Sequence, residues 1–153
     1  MQKAKTASPG ISIRNAEICD ARPLAVLMSQ LGYPSTENEV ADRLRLILPR
    51  SDYLVAVAVR EGQVVGVISA FIGLHLEMNG RYGRVIALSV EADHRGQGIG
   101  ARLLAQAESW LRVRGASACI VNSRTHRADA HRFYQCKGYQ VTGVRFQKDL
   151  RRP

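Results

Sequence analysis

The sequence predicts an α/β (α+β) fold, a single domain in which helices pack on a mixed β-sheet. Three observations support this fold class. The chain has 153 residues, of which 46% are hydrophobic, enough to bury one core of its own. Strand-like and helix-like periodicities alternate along it in the order β-α-α-β-β-β-α-β-α-β, with room for one more strand. No repeat, low-complexity tract or domain linker interrupts this order.

The first third of the chain is expected to form a strand and two helices. Ile11–Arg14 alternates apolar and polar residues, as a half-buried strand does. Asp20–Leu31 carries its apolar residues at helical spacing. Thr36–Glu39 is a capping box that begins the second helix, and Pro49 ends that helix. Residues 1–10 are expected to be a disordered tail.

The middle of the chain predicts three strands and a third helix. Tyr53–Val59 and Val64–Ile72 are apolar and rich in β-branched residues, and a glycine-containing turn between them predicts a β-hairpin. Tyr82–Val90 predicts a further strand. From Ile99 onward, apolar residues recur at helical spacing until Gly115.

The last part predicts a strand, a helix and a closing β-segment. Ala118–Val121 is short and apolar, which indicates a buried strand. Ala128–Cys136 predicts a helix ended by Gly138. Tyr139–Leu150 predicts one or two final strands.

The chain is strongly basic. Lysine and arginine outnumber the acidic residues 22 to 13, which gives a net charge of +9. This excess favours anionic partners such as a phosphorylated cofactor or an acidic substrate. The arginines are scattered over nearly every segment, however, so the charge alone gives little support to nucleic-acid binding, and we predict none.

Cysteine usage and hydropathy indicate the compartment. Cys19, Cys119 and Cys136 form no CxxC pair, which is typical of free thiols in a reducing compartment. The first residues lack the apolar stretch of a secretory signal, and the longest apolar run, Val64–Leu74, is too short to cross a bilayer. We therefore expect a soluble, cytoplasmic protein that does not bind membranes.

The most informative segment is His94–Gly100, which joins a strand to an amphipathic helix and has three glycines in five positions. Glycines at this junction leave backbone N–H groups uncovered at the positive end of the helix, which indicates a phosphate or diphosphate site. A Walker loop does not fit, because the chain continues Gly100-Ala101-Arg102 without lysine and serine or threonine. A dinucleotide fingerprint, GxGxxA, is present over Gly96–Ala101, but the next strand ends at Ile120–Ser123 without the acid that would hold a ribose.

A third interpretation explains two separate motifs. Arg95-x-x-Gly98-x-Gly100 resembles the R/Q-x-x-G-x-G/A loop of the GNAT N-acetyltransferase superfamily. Asp129–Tyr134 followed by Lys137–Tyr139 resembles the AxxFYxxxGF/Y block of many members. The resemblance extends from Ile11 to Leu150 in the order and length of the elements. The closing segment is similar to that of aminoalkylphosphonate acetyltransferases, and equally to that of many small bacterial members without known substrates.

The resemblance implies a fold and a reaction. Residues 11–150 would form one GNAT domain, with a mixed, mostly antiparallel sheet of six to seven strands, a splayed parallel pair and about four helices. Its co-substrate would be acetyl-CoA, and its partner a small-molecule primary amine that attacks the acetyl group directly in a ternary complex. Acetylation of a protein amine, an acetyl-CoA-binding regulator without catalysis and a nucleic-acid binder are the alternatives. A homodimer is expected only by analogy with relatives.

The resemblance also implies site residues. Pantetheine would pair with the backbone of the strand ending at Val90, whose N–H would donate to the thioester oxygen, and the diphosphate would lie on the loop amides. Tyr134 would act as the general acid toward the coenzyme sulfur. The cofactor-binding residues implied are Leu88, Ser89, Val90, Arg95, Gly96, Gln97, Gly98, Ile99, Gly100 and Ala101.

The general base is unassigned. Ala87 and Asn122 stand where many relatives have glutamate, and neither accepts a proton at neutral pH. Glu77, His75 and a water chain remain candidates.

An arginine and two histidines lie in or next to the second motif. Arg127 falls where many relatives have an asparagine that contacts the cofactor. His126 and His131 are five positions apart, which does not suit paired ligands on a helix, so no metal is predicted.

Overall fold

The computed structural model describes residues 10–123 and 127–151. The predicted tail, apart from Gly10, and His126 lie outside these residues. Two compact units are present, one up to Ile120 and one from Val121 onward. The elements are β1 (Ser12–Asn15), α1 (Ala21–Leu31), α2 (Glu37–Ile47), β2 (Tyr53–Arg60), β3 (Gln63–Leu74), β4 (Arg81–Val90), α3 (Ile99–Val113), β5 (Ala116–Val121) and α4 (Ala128–Cys136).

The helix boundaries follow the predicted signals. Thr36 accepts a hydrogen bond from the Glu39 amide (3.2 Å), and the Glu39 carboxylate accepts one from the Thr36 amide (2.8 Å), so the capping box begins α2 as expected. Gly32 adopts a left-handed conformation after α1, and Gly115 does so after α3. The predicted order of elements is confirmed as far as α4.

The strands form one mixed sheet in the order β1-β2-β3-β4-β5, and β1 to β4 pair antiparallel. Helix α1 packs on one face, where the buried Ser89 hydroxyl of β4 donates to the Leu27 carbonyl (3.1 Å). Helix α3 packs on the other face. A Cβ at Gly66 would meet Leu103 Cδ1 at 3.0 Å, so the glycine lets this helix lie close to the sheet.

An ion pair between exposed Arg14 and buried Asp20 holds the entry to α1. The Asp20 carboxylate accepts two hydrogen bonds from the Arg14 guanidinium, at 2.7 and 2.8 Å, and a third from the Glu17 amide at 2.8 Å. These bonds, the arginine contact first, hold the pKa of Asp20 below its usual value. Only 5% of Asp20 is exposed, so this region needs the carboxylate to stay ionised.

Two expectations about the later strands are corrected. The predicted count of six to seven strands is not confirmed: the described residues form five, and Tyr139–Leu150 contains no strand. The apolar residues of that segment, including Phe146, are exposed. Strand β5 begins earlier than predicted, at Ala116, and is not buried, since Ile120 is 43% exposed. An alternating pattern predicts a strand only where a sheet edge receives it, and the sequence does not show that edge.

Candidate functional site

The glycine loop, defined as Arg95–Gly100, connects β4 to α3. A short 3₁₀ turn over Ala92–His94 precedes it. Gly96 and Gly98 have φ values of +72° and +79°, in the left-handed region where residues with a side chain are strained. Gly98 directly precedes the first residue of α3. These two glycines therefore allow the chain to turn and begin the helix within a few residues.

The loop has unused hydrogen-bond donors. In residues 10–123 and 127–151, the amides from Gly96 to Ala101 donate to no acceptor, and the first bond at this helix end runs from the Arg102 amide to the Gly98 carbonyl (3.1 Å). A Cβ at Gly96 or Gly98 would meet no atom of the described part of the chain within 4 Å. The peptide dipoles of α3 add positive potential at the same end. Free donors, open space and positive potential fit a phosphate group.

Side chains hold the loop in place. Arg95 Nε donates to the Val90 carbonyl (2.9 Å), which ties the loop to the end of β4. Gln97 accepts a hydrogen bond from Arg60 Nη1 (2.5 Å) and donates to the Asp93 carbonyl (3.5 Å). Sequence reasoning missed Arg60, because it lies at the end of β2, 37 positions before Gln97, and no local pattern links them.

The predicted pantetheine residues lie at the end of β4, which neighbours β5 in the sheet. Ser89 is buried and its hydroxyl donates to the Leu27 carbonyl of α1, so its side chain is not available to a ligand. Leu88 and Val90 are half-buried. Ser69 pairs with Ala87 and Ala70 with Val85, so Ile86 is an extra residue in β4. Such a bulge bends a strand and interrupts its ladder.

Ala87 shares the α1 face of the sheet with a half-buried arginine. Arg84 pairs with Phe71, and Ala87 pairs with Ser69, two residues away on β3. Because Phe71 and Ser69 are two apart on their strand, their side chains point to the same face and their Cα atoms lie about 7 Å apart. Arg84 and Ala87 therefore lie opposite these two residues, on the same face of the sheet.

An aromatic row continues along the same face. The rings of Tyr53 and Phe71 are 5.1 Å apart, those of Phe71 and Tyr82 6.3 Å, and those of Tyr82 and His75 5.0 Å. All but His75 lie on strands β2, β3 and β4. The row gives this face a partly apolar floor beside Arg84.

The two side chains considered as bases form a pair of their own. His75 Nδ1 lies 3.0 Å from Glu77 Oε1 in the loop after β3. Hydrogen bonds from the glutamate's own backbone amide and then from His75 lower the pKa of Glu77, which makes it a weaker base. Leu74 pairs with Arg81, seven residues before Leu88, so the pair lies about 20 Å along the sheet from Leu88. Neither side chain reaches the end of β4.

The second unit contains the predicted acid. Tyr134 lies on α4, half-buried, with its ring 5.2 Å from Phe133 and 5.6 Å from Tyr139. Arg127 precedes the first residue of α4, and its carbonyl accepts from the His131 amide (3.1 Å). Tyr134 is therefore part of an aromatic cluster that fixes its ring. This position suits a residue that packs with its neighbours, and it also suits the predicted general acid.

Metal ligands, reactive cysteines and membrane-spanning helices give no further candidate site among the described residues. Over the described ranges, no three histidine, cysteine or acidic side chains gather as metal ligands would. The three cysteines are free thiols, and a hydrogen bond to Glu17 raises the pKa of Cys19, which disfavours its nucleophilic thiolate. None of the helices in the described part of the chain is long and apolar enough to cross a membrane.

Comparison with known proteins identifies the family. The model of the acetyltransferase (GNAT) family matches residues 22–139. The chain belongs to the GNAT acetyltransferase family. It is 33% identical over 155 aligned positions to an aminoalkylphosphonate N-acetyltransferase of Salmonella typhimurium, covering 98% of each chain. GNAT enzymes use acetyl-CoA as co-substrate. Membership of this family, together with the similarity to this relative, identifies the chain as an acetyl-CoA-dependent N-acetyltransferase.

Two further matches agree with this assignment. An IAA acetyltransferase of Azospirillum brasilense is 32% identical over 111 residues, which cover 72% of this chain and 69% of that one. The crystal structure of a GNAT family acetyltransferase of Staphylococcus aureus superposes with a TM-score of 0.79 at 27% identity, covering 92% of this chain and 98% of the other. The mixed sheet and four helices are therefore those of a GNAT fold.

Proposed function

We propose that this GNAT enzyme acetylates the primary amine of a small molecule that also carries an anionic group, by direct attack in a ternary complex with acetyl-CoA. The observation that carries the coenzyme part is the glycine loop, with its unbonded amides and the open space over Gly96 and Gly98. A diphosphate is the part of coenzyme A that such a loop accommodates.

The loop and β4 would hold the coenzyme. The amides of Gly96 to Ala101 bind the diphosphate, while the Arg95, Gln97 and Ile99 side chains support the loop. The backbone of Leu88, Ser89 and Val90 binds pantetheine as an added strand. Bound acetyl-CoA supplies an acetyl group activated as a thioester. The Val90 N–H donates to the thioester oxygen as negative charge develops there, and the Tyr134 hydroxyl donates a proton to the departing sulfur.

The acceptor amine would lose its proton to water. Ala87 and Asn122 offer no carboxylate, and His75 and Glu77 lie about 20 Å from Leu88 along the sheet. With water as the base, the reactive fraction of the amine is set by the pKa of the amine itself. The pH profile of kcat/KM should therefore move with the pKa of the amine used, and a fixed profile for all amines would contradict this step.

The anionic group of the substrate is inferred from charge and similarity. The chain has a net charge of +9, and Arg84 and Ala87 pair with two β3 residues that lie about 7 Å apart on one face of the sheet. The Salmonella relative is an aminoalkylphosphonate N-acetyltransferase. A phosphonate, phosphate or carboxylate two or three bonds from the amine would suit this distance, because arginine binds such groups through two parallel hydrogen bonds.

Matched amines test the proposal. Acetylated product is measured by mass spectrometry for 2-aminoethylphosphonate and for ethanolamine, which is similar in length but uncharged at the other end. Thiol reagents are avoided, because Cys19 and Cys136 are exposed and would react. We expect the phosphonate to be preferred, and Arg84→Met to raise KM for the phosphonate but not for ethanolamine. Equal turnover of both amines would refute the anionic group.

The same assay separates the alternatives. Acetyl-CoA binding without product from any amine would favour the regulator that lacks catalysis. Product only on peptide amines would favour a protein substrate.

A further inference from the structure

Arg60 lies next to the glycine loop although it belongs to a distant part of the sequence. It is the last residue of β2, and its Nη1 donates to Gln97 Oε1 at 2.5 Å. The same nitrogen lies 3.4 Å from His94 Nδ1. The end of β2 thus contacts both the turn that enters the loop and the loop itself.

The charge of Arg60 is not balanced by an acid. Among residues 10–123 and 127–151, no carboxylate lies within 4 Å of its guanidinium, and its buried Nε has no hydrogen-bond acceptor. The nearby carboxylate of Glu91 is used elsewhere, accepting from the Asp93 amide (2.9 Å) and from Gln30 (3.4 Å). A cation is therefore held beside the positive end of α3, an arrangement that a bound anion stabilises.

Arg60 also fixes the Gln97 side chain in the middle of the loop. Gln97 is exposed, and two hydrogen bonds hold it, from Arg60 and to the Asp93 carbonyl. The amides on either side of Gln97 make no hydrogen bond to any described residue that would keep them pointing in one direction. Without Arg60, the loop would lose the contact that anchors its middle to the sheet.

We propose that Arg60 is a positioning residue for the phosphates of coenzyme A. It holds Gln97 so that the loop amides converge on a phosphate, and its positive charge adds to the attraction. This inference rests on the proposed coenzyme site, and the phosphate concerned is either the diphosphate or the 3′-phosphate. The two sources share one chemistry and are separated by dephospho-CoA, which lacks the 3′-phosphate.

The experiment measures coenzyme binding in the full chain without an acceptor amine. Dissociation constants for CoA and dephospho-CoA are measured by calorimetry at low and moderate salt for wild type, Arg60→Met and Arg60→Lys. Arg112→Met is the matched control: it removes one positive charge from the far end of α3, about 20 Å from Ile99. Thermal unfolding without ligand reports the fold of each variant.

We expect Arg60→Met to weaken CoA binding at least tenfold and to reduce its salt dependence, while Arg112→Met leaves both unchanged. Arg60→Lys keeps the charge but not the guanidinium geometry, so it should restore only part of the affinity. An equal loss for CoA and dephospho-CoA places Arg60 at the diphosphate, and a loss for CoA alone places it at the 3′-phosphate.

A second variant covers the case in which Arg60→Met does not fold. Gln97→Met removes the contact at an exposed position and should weaken CoA binding with little change in the unfolding temperature. Wild-type affinity for CoA in a folded Arg60→Met protein would overturn the inference. If that variant does not fold, wild-type affinity for CoA in both single variants, Gln97→Met and Arg60→Lys, would overturn it. Absence of CoA binding by the wild-type protein would instead refute the coenzyme site on which it rests.

Discussion

Replacing Gly98 by alanine tests the glycine loop most directly. The residue has a φ of +79°, and an added Cβ would meet no atom within 4 Å, so the folded protein pays only for the backbone conformation. That cost is about 1–2 kcal/mol, and the less flexible unfolded chain offsets about 0.4–1 kcal/mol of it. The expected loss of about 1 kcal/mol corresponds to about 3 °C in Tm for a domain of this size.

Coenzyme binding should fall far more than stability. The new methyl group would occupy the space in which we place the phosphate and keep its oxygens from the adjacent amides. One charge-assisted hydrogen bond contributes about 1.5–3 kcal/mol, so Kd for CoA should rise about 10- to 150-fold. Isothermal calorimetry gives Kd, and differential scanning calorimetry gives Tm.

Gly115→Ala is the matched control at the other end of α3. Gly115 has a φ of +85°, and a Cβ there would also meet nothing within 4 Å. The two variants should therefore lose similar stability, while only Gly98→Ala loses affinity. Equal Kd values for the two variants would refute the assignment of the loop, because strain without a ligand would then explain everything observed.

Three further outcomes are expected. Tyr134→Phe should lower kcat about 100-fold with little change in Kd for acetyl-CoA, as loss of a general acid does. Tyr139→Phe is the control, and equal kcat values for the two variants would contradict the role assigned to Tyr134. Asp20→Asn should destabilise the fold by about 2 kcal/mol at pH 7. Because the pKa of Asp20 is lowered on folding, this contribution is present above the ordinary value of about 3.9 and is lost as pH falls through the folded value. Urea unfolding at pH 7 and at lower pH measures the free energy of unfolding of Asp20→Asn and of wild type. A difference between the two that persists in strong acid would contradict the role assigned to the Asp20 carboxylate. Gly83→Ala should lower the free energy of unfolding by about 2 kcal/mol, because the added Cβ would overlap the Leu111 side chain. In a chain that also carries Leu111→Ala, the glycine substitution should be less destabilising. Additive losses of the free energy of unfolding, measured with urea, would argue against the contact.

Local signals were sufficient where structure depends on neighbours in sequence. The capping box at Thr36 and the glycines of the loop act over a few residues, so the sequence predicted both α2 and the turn before α3. The long-range contacts were out of reach. Arg60 meets Gln97 only because β2 ends beneath the loop, and the extra residue Ile86 depends on how β4 pairs with β3.

In the closing segment, a local pattern was present but did not predict the structure correctly. Tyr139–Leu150 alternates as a strand does, but Val141 and Phe146 are 84% and 91% exposed. Periodicity records which side chains are apolar, and a strand also needs a neighbour whose backbone groups are free.

The absence of a side chain at Gly66 has a consequence for the coenzyme. The first turn of α3 lies directly over this position, where a Cβ would come within 3.3 Å of Ile99 Cγ2. A bulkier residue at this position near the start of β3 would lift the start of the helix and shift every amide proposed to hold the phosphate. Affinity for the coenzyme would then depend on a residue of the sheet that does not itself contact the ligand. Substitutions at position 66 should be tolerated only when the loop changes with them.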